Sequence, residues 1–243
     1  MENNFRNTNL NNIENATIVN ERTLFASVFT WMFLALIITT VCSMLFAFQP
    51  QLENLLYTNN GVETKLSVFA WITMFLPLVL VLVMNFAFNK LSFPVLMMLF
   101  FGYAAVNGIS FSVIFKIYKI DSIGYIFGGT AGLFGLMAVL GYTTKADLTK
   151  MGFYLRIGLM GVILVSLVNI FLQNSMMSTL ISAAVVVIFT GLTAFHVQQI
   201  KELSNQSDGS TDYKKMGVMG ALSLYLAFIN LFLALLRLFG RRD

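Results

Sequence analysis

The chain has 243 residues, 58% hydrophobic and 11% charged, with a formal net charge of +4 and a mean hydropathy of +0.80. Soluble domains carry about 25% charged residues, so a water-soluble globular fold is excluded. The modest positive charge sits mostly at the ends of apolar runs and forms no basic stripe for nucleic acid.

Residues 1–22, MENNFRNTNLNNIENATIVNER, are polar and Asn-rich, without the basic start and short apolar core of a secretory signal. They read as an N-terminal tail to a single transmembrane domain over 23–240. A helix crossing the hydrocarbon core needs roughly 20 apolar residues. Seven runs qualify, at about 23–48, 66–88, 91–115, 122–144, 151–172, 176–200 and 216–239. None alternates in the manner of a lipid-facing barrel strand. The predicted fold is an all-α integral membrane protein, a seven-transmembrane-helix bundle.

The first run holds the single cysteine, Cys42, which excludes an internal disulfide. The second contains Pro77, which removes one backbone hydrogen bond and should kink the helix. The third carries Asn107, Gly108 and Ser110 in YAAVNGISFS. An asparagine at that depth needs a partner, either a tie to another helix or a hydrated path. In the fourth, GYIFGGTAGLFGLMAVLGY, Gly128 and Gly132 lie four apart beside Ala131 and Gly135, a spacing that predicts close helix packing. Arg156 sits one turn into the fifth run and can snorkel to the interface.

The sixth run ends FTGLTAFHVQQIK and holds the single histidine, His196. It is either a hydrogen-bonded packing residue or a titrating group. Thr193 and Gln199, three residues to either side, share its face and are candidate partners. In the seventh run Gly220, Ser223, Ala227, Asn230 and Ala234 recur at alternating steps of three and four. Such a seam of small and polar residues faces other helices, not lipid. It places the last helix at the centre of the bundle, with Asn230 hydrogen-bonded across the interface.

Orientation follows from Lys and Arg. With the N-terminus in the cytoplasm, the inside holds Arg6, Arg22, Lys90, Lys145, Lys150, Arg156, Lys201, Lys214 and Lys215. The outside holds Lys65, Lys116 and Lys119, and also the tail residues Arg237, Arg241 and Arg242. The basic tail is in tension with seven full spans, a tension that a re-entrant last segment would relieve. Seven spans is the expectation, because 216–239 is long enough to cross.

No catalytic constellation appears. There is no GxSxG elbow, P-loop or Gly-rich dinucleotide turn, and one histidine excludes HExxH zinc chemistry and a His-pair metal site. Neither an enzyme nor a cofactor is expected.

Five stretches in order, YAAVNGISFSVIFKIY, GYTTKADLTKMG, SLVNIFLQNS, FTGLTAFHVQQIK and GALSLYLAFINLFLALLRLFGRR, resemble the bacterial branch of the Bax inhibitor-1 family (transmembrane BAX inhibitor motif). The resemblance covers nearly the whole chain. It implies a seven-helix bundle with the last helix central, in a bacterial inner membrane. It also implies a pH-sensitive calcium leak that the family attributes to paired aspartates in the last two helices. Eukaryotic members protect against cell death, and a bacterial member restrains a membrane-bound ATP-dependent protease. This chain departs from the pattern at both acidic positions: His196 follows GLTAF, and Ala227 stands in LYLAFINLF. A calcium site without carboxylates should be weak.

Two functions follow as expectations. One is a pH-modulated calcium or cation leak, with His196, Ala227, Asn230, Asn107, Ser223 and Thr193 as switch or pore candidates. The other is a non-conducting regulator of a membrane-bound protease, or a membrane-stress factor, acting through helix contacts. The expected partners are membrane lipid, calcium or another cation, and such a protease, with no nucleic acid.

Overall fold

The computed structural model describes residues 2–59 and 64–242. In chain order the elements are α1 (Glu2–Phe48), α2 (Pro50–Leu56), β1 (Tyr57–Asn59), β2 (Thr64–Leu66), α3 (Val68–Phe86), α4 (Phe93–Phe111), α5 (Ile114–Ile117), α6 (Ile120–Thr143), α7 (Thr149–Leu172), α8 (Ser175–Asn205) and α9 (Thr211–Phe239). Among the described residues seven stretches are long and apolar enough to span a membrane. They are Thr23–Phe48 within α1, α3, Phe93–Ile117 (α4 with α5), α6, α7, α8 and α9. They match the seven predicted runs to within about one and a half turns.

The largest differences in boundary fall at α8 and α9, with 31 and 29 residues. At 1.5 Å per residue these are ~46 and ~44 Å long, against a hydrocarbon core of ~30 Å. Both extend past their apolar runs at the end they share. A short loop closes them there, with Gly209 at φ 78°, in the left-handed region that glycine enters without strain. α9 is one unbroken helix, so the re-entrant alternative has no counterpart in the fold. The only strands among the described residues form a hairpin outside the spans, β1 antiparallel to β2 with Tyr57 opposite Leu66.

α9 packs against α8, α1, α6 and α4. Val218, Ala221, Leu224, Tyr225 and Leu231 are wholly buried, and 61% of the most apolar stretch of α9 is covered by the rest of the chain. For α7 the figure is 6%, so α7 is an outer helix packed on α8. Its Phe171 points outward, as does Phe86 of α3, where in water such surface would be costly and in lipid it is not. The predicted central position of the last helix is therefore observed.

Close packing occurs at glycines other than those expected. A Cβ added at Gly108 would collide with the carbonyl oxygen of Thr39 in α1, and one at Gly141 with that of Ala194 in α8. At Gly128 and Gly132 it would meet nothing within 4 Å, and both face outward. The packing predicted for that motif is not made among the described residues. The spacing was right for a close helix contact, but α6 turns its other face, with Thr130, Phe134 and Gly141, to the core.

α3 runs continuously through Pro77. Proline has no N–H, so the carbonyl of Thr73, one turn back, loses its helical donor. The Ser110 hydroxyl of α4 donates to that carbonyl at 2.7 Å, repairing the defect from a neighbouring helix. Ser110→Ala is expected to lower stability by about 1 kcal/mol, seen as a lower thermal midpoint in detergent. In a Pro77→Ala background, where residue 77 regains its amide, the same change should cost less than half as much. An equal cost in both backgrounds would remove this role from Ser110.

Candidate functional site

His196 lies on the part of α8 that faces α9. It shares a cavity of about 200 Å³ with Gln199, Ile200, Leu203, Met216, Met219, Gly220 and Ser223. Gln199 lines the cavity beside the imidazole. Thr193 is not its partner. That hydroxyl is buried and donates to the Phe189 carbonyl at 2.7 Å, because a threonine in mid-helix satisfies itself most cheaply on the turn below. Arg156 of α7 stands over the ring of Phe195, 5.1 Å from its centroid, and acts on His196 by charge. Its Nε donates to the carbonyl of Gly152 at 3.2 Å. Arg156 and His196 are thus neighbours.

Of the predicted site residues, the structure brings His196 and Ser223 into one cavity. Ser223 donates to Met219 O at 2.9 Å and is half-buried. Ala227, one turn further along α9, is 1% exposed and part of the apolar core. Asn230 donates to Leu226 O at 2.8 Å, within its own helix. Among the described residues the interhelical bond expected of it is not made, because the carbonyl one turn back is already within reach.

Asn107 lies apart from this cavity. It is buried in α4 and donates to Tyr103 O at 3.2 Å. Around it is a polar node that the sequence did not signal. Thr39 of α1 has its Oγ1 2.9 Å from Ala104 O in α4, 2.9 Å from Ala35 O, and 2.7 Å from the Tyr225 hydroxyl of α9. The threonine has one proton and both carbonyls only accept, so Tyr225 must be the donor to Thr39. The Tyr225 ring also meets Tyr103 edge-on, with centroids 5.6 Å apart. Three helices are tied at one buried point.

The short connection between α6 and α7 is sewn to α8 beside His196. Gln198 donates to Ala146 O and accepts from Leu148 N, both at 2.8 Å. Lys201 donates to Tyr142 O at 2.7 Å and lies over the Tyr142 ring. Asp147 accepts from Thr149 N at 2.8 Å, and the Thr149 hydroxyl and amide hold its carboxyl below the usual range. Asp208 is held low in the same way by Ser210. A lowered carboxylate contributes above its ordinary value and is lost only as pH falls through the lowered one. These caps therefore stay charged across pH 5–8.

The Bax1-I profile, described as "Inhibitor of apoptosis-promoting Bax1", matches residues 21–243. The chain belongs to the Bax inhibitor-1 family. The inner membrane protein YbhL of Escherichia coli K12 is 39% identical over 223 residues, covering 91% of this chain and 92% of YbhL. A Borreliella burgdorferi protein is 41% identical over 230 residues, 94% of this chain and 96% of its own length. A Rickettsia prowazekii protein, RP147, is 35% identical over 221 residues. With its seven spans, this Bax inhibitor-1 protein is a multi-pass protein of the bacterial inner membrane.

The node makes an asymmetric prediction. Thr39→Val leaves the Tyr225 hydroxyl buried without an acceptor and should cost about 1–3 kcal/mol. Tyr225→Phe should cost less, and the double variant should be no worse than Thr39→Val alone. Thermal midpoints of the three purified proteins in detergent check the order, and a Tyr225→Phe protein less stable than Thr39→Val would contradict it.

Proposed function

We propose that the chain is a cation leak of the Bax inhibitor-1 type whose switch is His196 in place of a carboxylate pair. The observation that supports this reading is the cavity joining His196 to Ser223 and Gly220 of α9, with Arg156 alongside. The N-terminus lies in the cytoplasm, 1–22 is a tail and 23–240 is one transmembrane domain. Calcium or another small cation passes hydroxyls, carbonyls and amides rather than acids. Among the described residues no three His, Cys, Asp or Glu side chains are grouped to hold a metal ion, so any cation is held weakly.

The sign of the pH effect follows from the side chain. Protonation of a carboxylate removes a charge, whereas protonation of His196 creates one. Arg156 of α7 acts on it by charge, and the α9 residues that line the cavity, Met216, Met219, Gly220 and Ser223, are uncharged. A cation beside Arg156 repels it and draws water between α7, α8 and α9. Leak should therefore rise as pH falls from 8 to 4. Calcium flux into proteoliposomes reads this, with His196→Ala expected to lose the rise. Flux at the level of empty vesicles at every pH would sink the reading.

A second reading, a non-conducting regulator that contacts a membrane-bound protease or another membrane protein, is favoured by the burial of Ala227 in an apolar core. It predicts partner capture under mild crosslinking together with no flux. Ala227→Asp with His196→Asp separates the two. Under the leak reading the double variant conducts with the opposite pH dependence. Under the regulator reading flux stays at background.

A further inference from the structure

The end of the bundle away from the His196 cavity holds a larger cavity, about 640 Å³, between α5, the start of α8 and the end of α9. One wall is apolar and includes Ile114 and Leu236, while Arg237, Arg242, Ser175 and Ser178 line the remainder. The arginines are held in place by ordered chain. The Arg241 amide donates to Ser122 Oγ and the Lys119 amide to Arg241 O, each at 3.0 Å. Tyr118 and Arg242 form an antiparallel bridge, with the Arg242 guanidinium 6.0 Å from the Tyr118 ring centroid.

Among the described residues neither Arg237 nor Arg242 has a carboxylate within ion-pair distance. Ser178 Oγ accepts from Asn169 Nδ2 at 2.8 Å. Its own proton has no acceptor among the described residues and is free for one in the cavity. Two guanidiniums without a carboxylate partner among the described residues, beside a hydroxyl with a proton to donate, are the chemistry of a phosphate site. The apolar wall adds a further constraint. A free phosphate gains nothing from Ile114 and Leu236, whereas a lipid carries alkyl carbons next to its phosphate. The cavity sits where α8 begins and α9 ends, which is headgroup depth for two spanning helices.

We propose that this cavity binds the headgroup of an anionic phospholipid, its phosphate on Arg237 and Arg242 and its first alkyl carbons against Ile114 and Leu236. The site gives the C-terminal arginines a role other than orientation, and it explains why they lie at the end opposite the main cluster of basic residues. It does not rest on the leak.

The test is native mass spectrometry of the full chain in detergent, with phosphatidylglycerol, phosphatidylcholine or inorganic phosphate added. Phosphatidylglycerol should be retained about tenfold more strongly than phosphatidylcholine. Arg237→Gln with Arg242→Gln should lower that retention about tenfold, and Arg237→Gln alone by a smaller factor, with lipid-free thermal midpoints unchanged. Lys119→Gln, which removes a cation at the same end but outside the cavity, should have no effect. Equal retention of the two lipids, wild-type retention in the double variant, or an equal loss in Lys119→Gln would overturn the site. Displacement of phosphatidylglycerol by inorganic phosphate at matched concentration would reassign it to a free anion.

Discussion

A hydroxyl buried in hydrocarbon has no water to turn to, and the Tyr225 hydroxyl finds its partner in Thr39. Much of the bundle depends on that bond. Thr39 reaches both α4 and α9 because Gly108 lets the backbones of α4 and α1 come together. With α1, α4 and α9 fixed at one point, α8 and α6 close round the remaining sides of α9, and α8 and α6 meet where Gly141 faces the Ala194 backbone. α7 is then left outside, against α8.

The polar side chains at membrane depth fall into two kinds. Thr193, Ser223, Asn230 and Asn107 bond to the carbonyl one turn back in their own helices, as such residues do when no neighbour competes. Thr39 and Ser110 bond to another helix and hold the bundle together. The self-satisfied residues are the ones that can change partner without unravelling the fold. Ser223 is one of these and borders His196. The rigid node and the adaptable cavity thus lie on the same central helix.

The spans, their number and the central place of α9 were legible because a bilayer imposes length and hydropathy directly on sequence. Which face of each helix turns inward was less so. The glycines of α6 had the spacing of a packed seam, yet Gly128 and Gly132 face outward and Gly141 makes the contact, because a small residue fits lipid as well as it fits a neighbour. Ser110 was visible only as a polar residue near Asn107. Its pairing with Pro77 depends on two helices meeting, which no local pattern encodes. His196 could be singled out as the single histidine. Its cavity, and the company of Arg156 from another helix, could not.

The burial of α9 also bears on how the protein is made. Of the seven spans, the core helix leaves the ribosome after the other six, so these enter the bilayer before the residue that ties them, Tyr225, exists in the chain. Until then α1, α4, α6 and α8 lack their common partner, and the Thr39 hydroxyl lacks its tyrosine. A nascent chain truncated before residue 211 would be an intermediate with an unsealed centre.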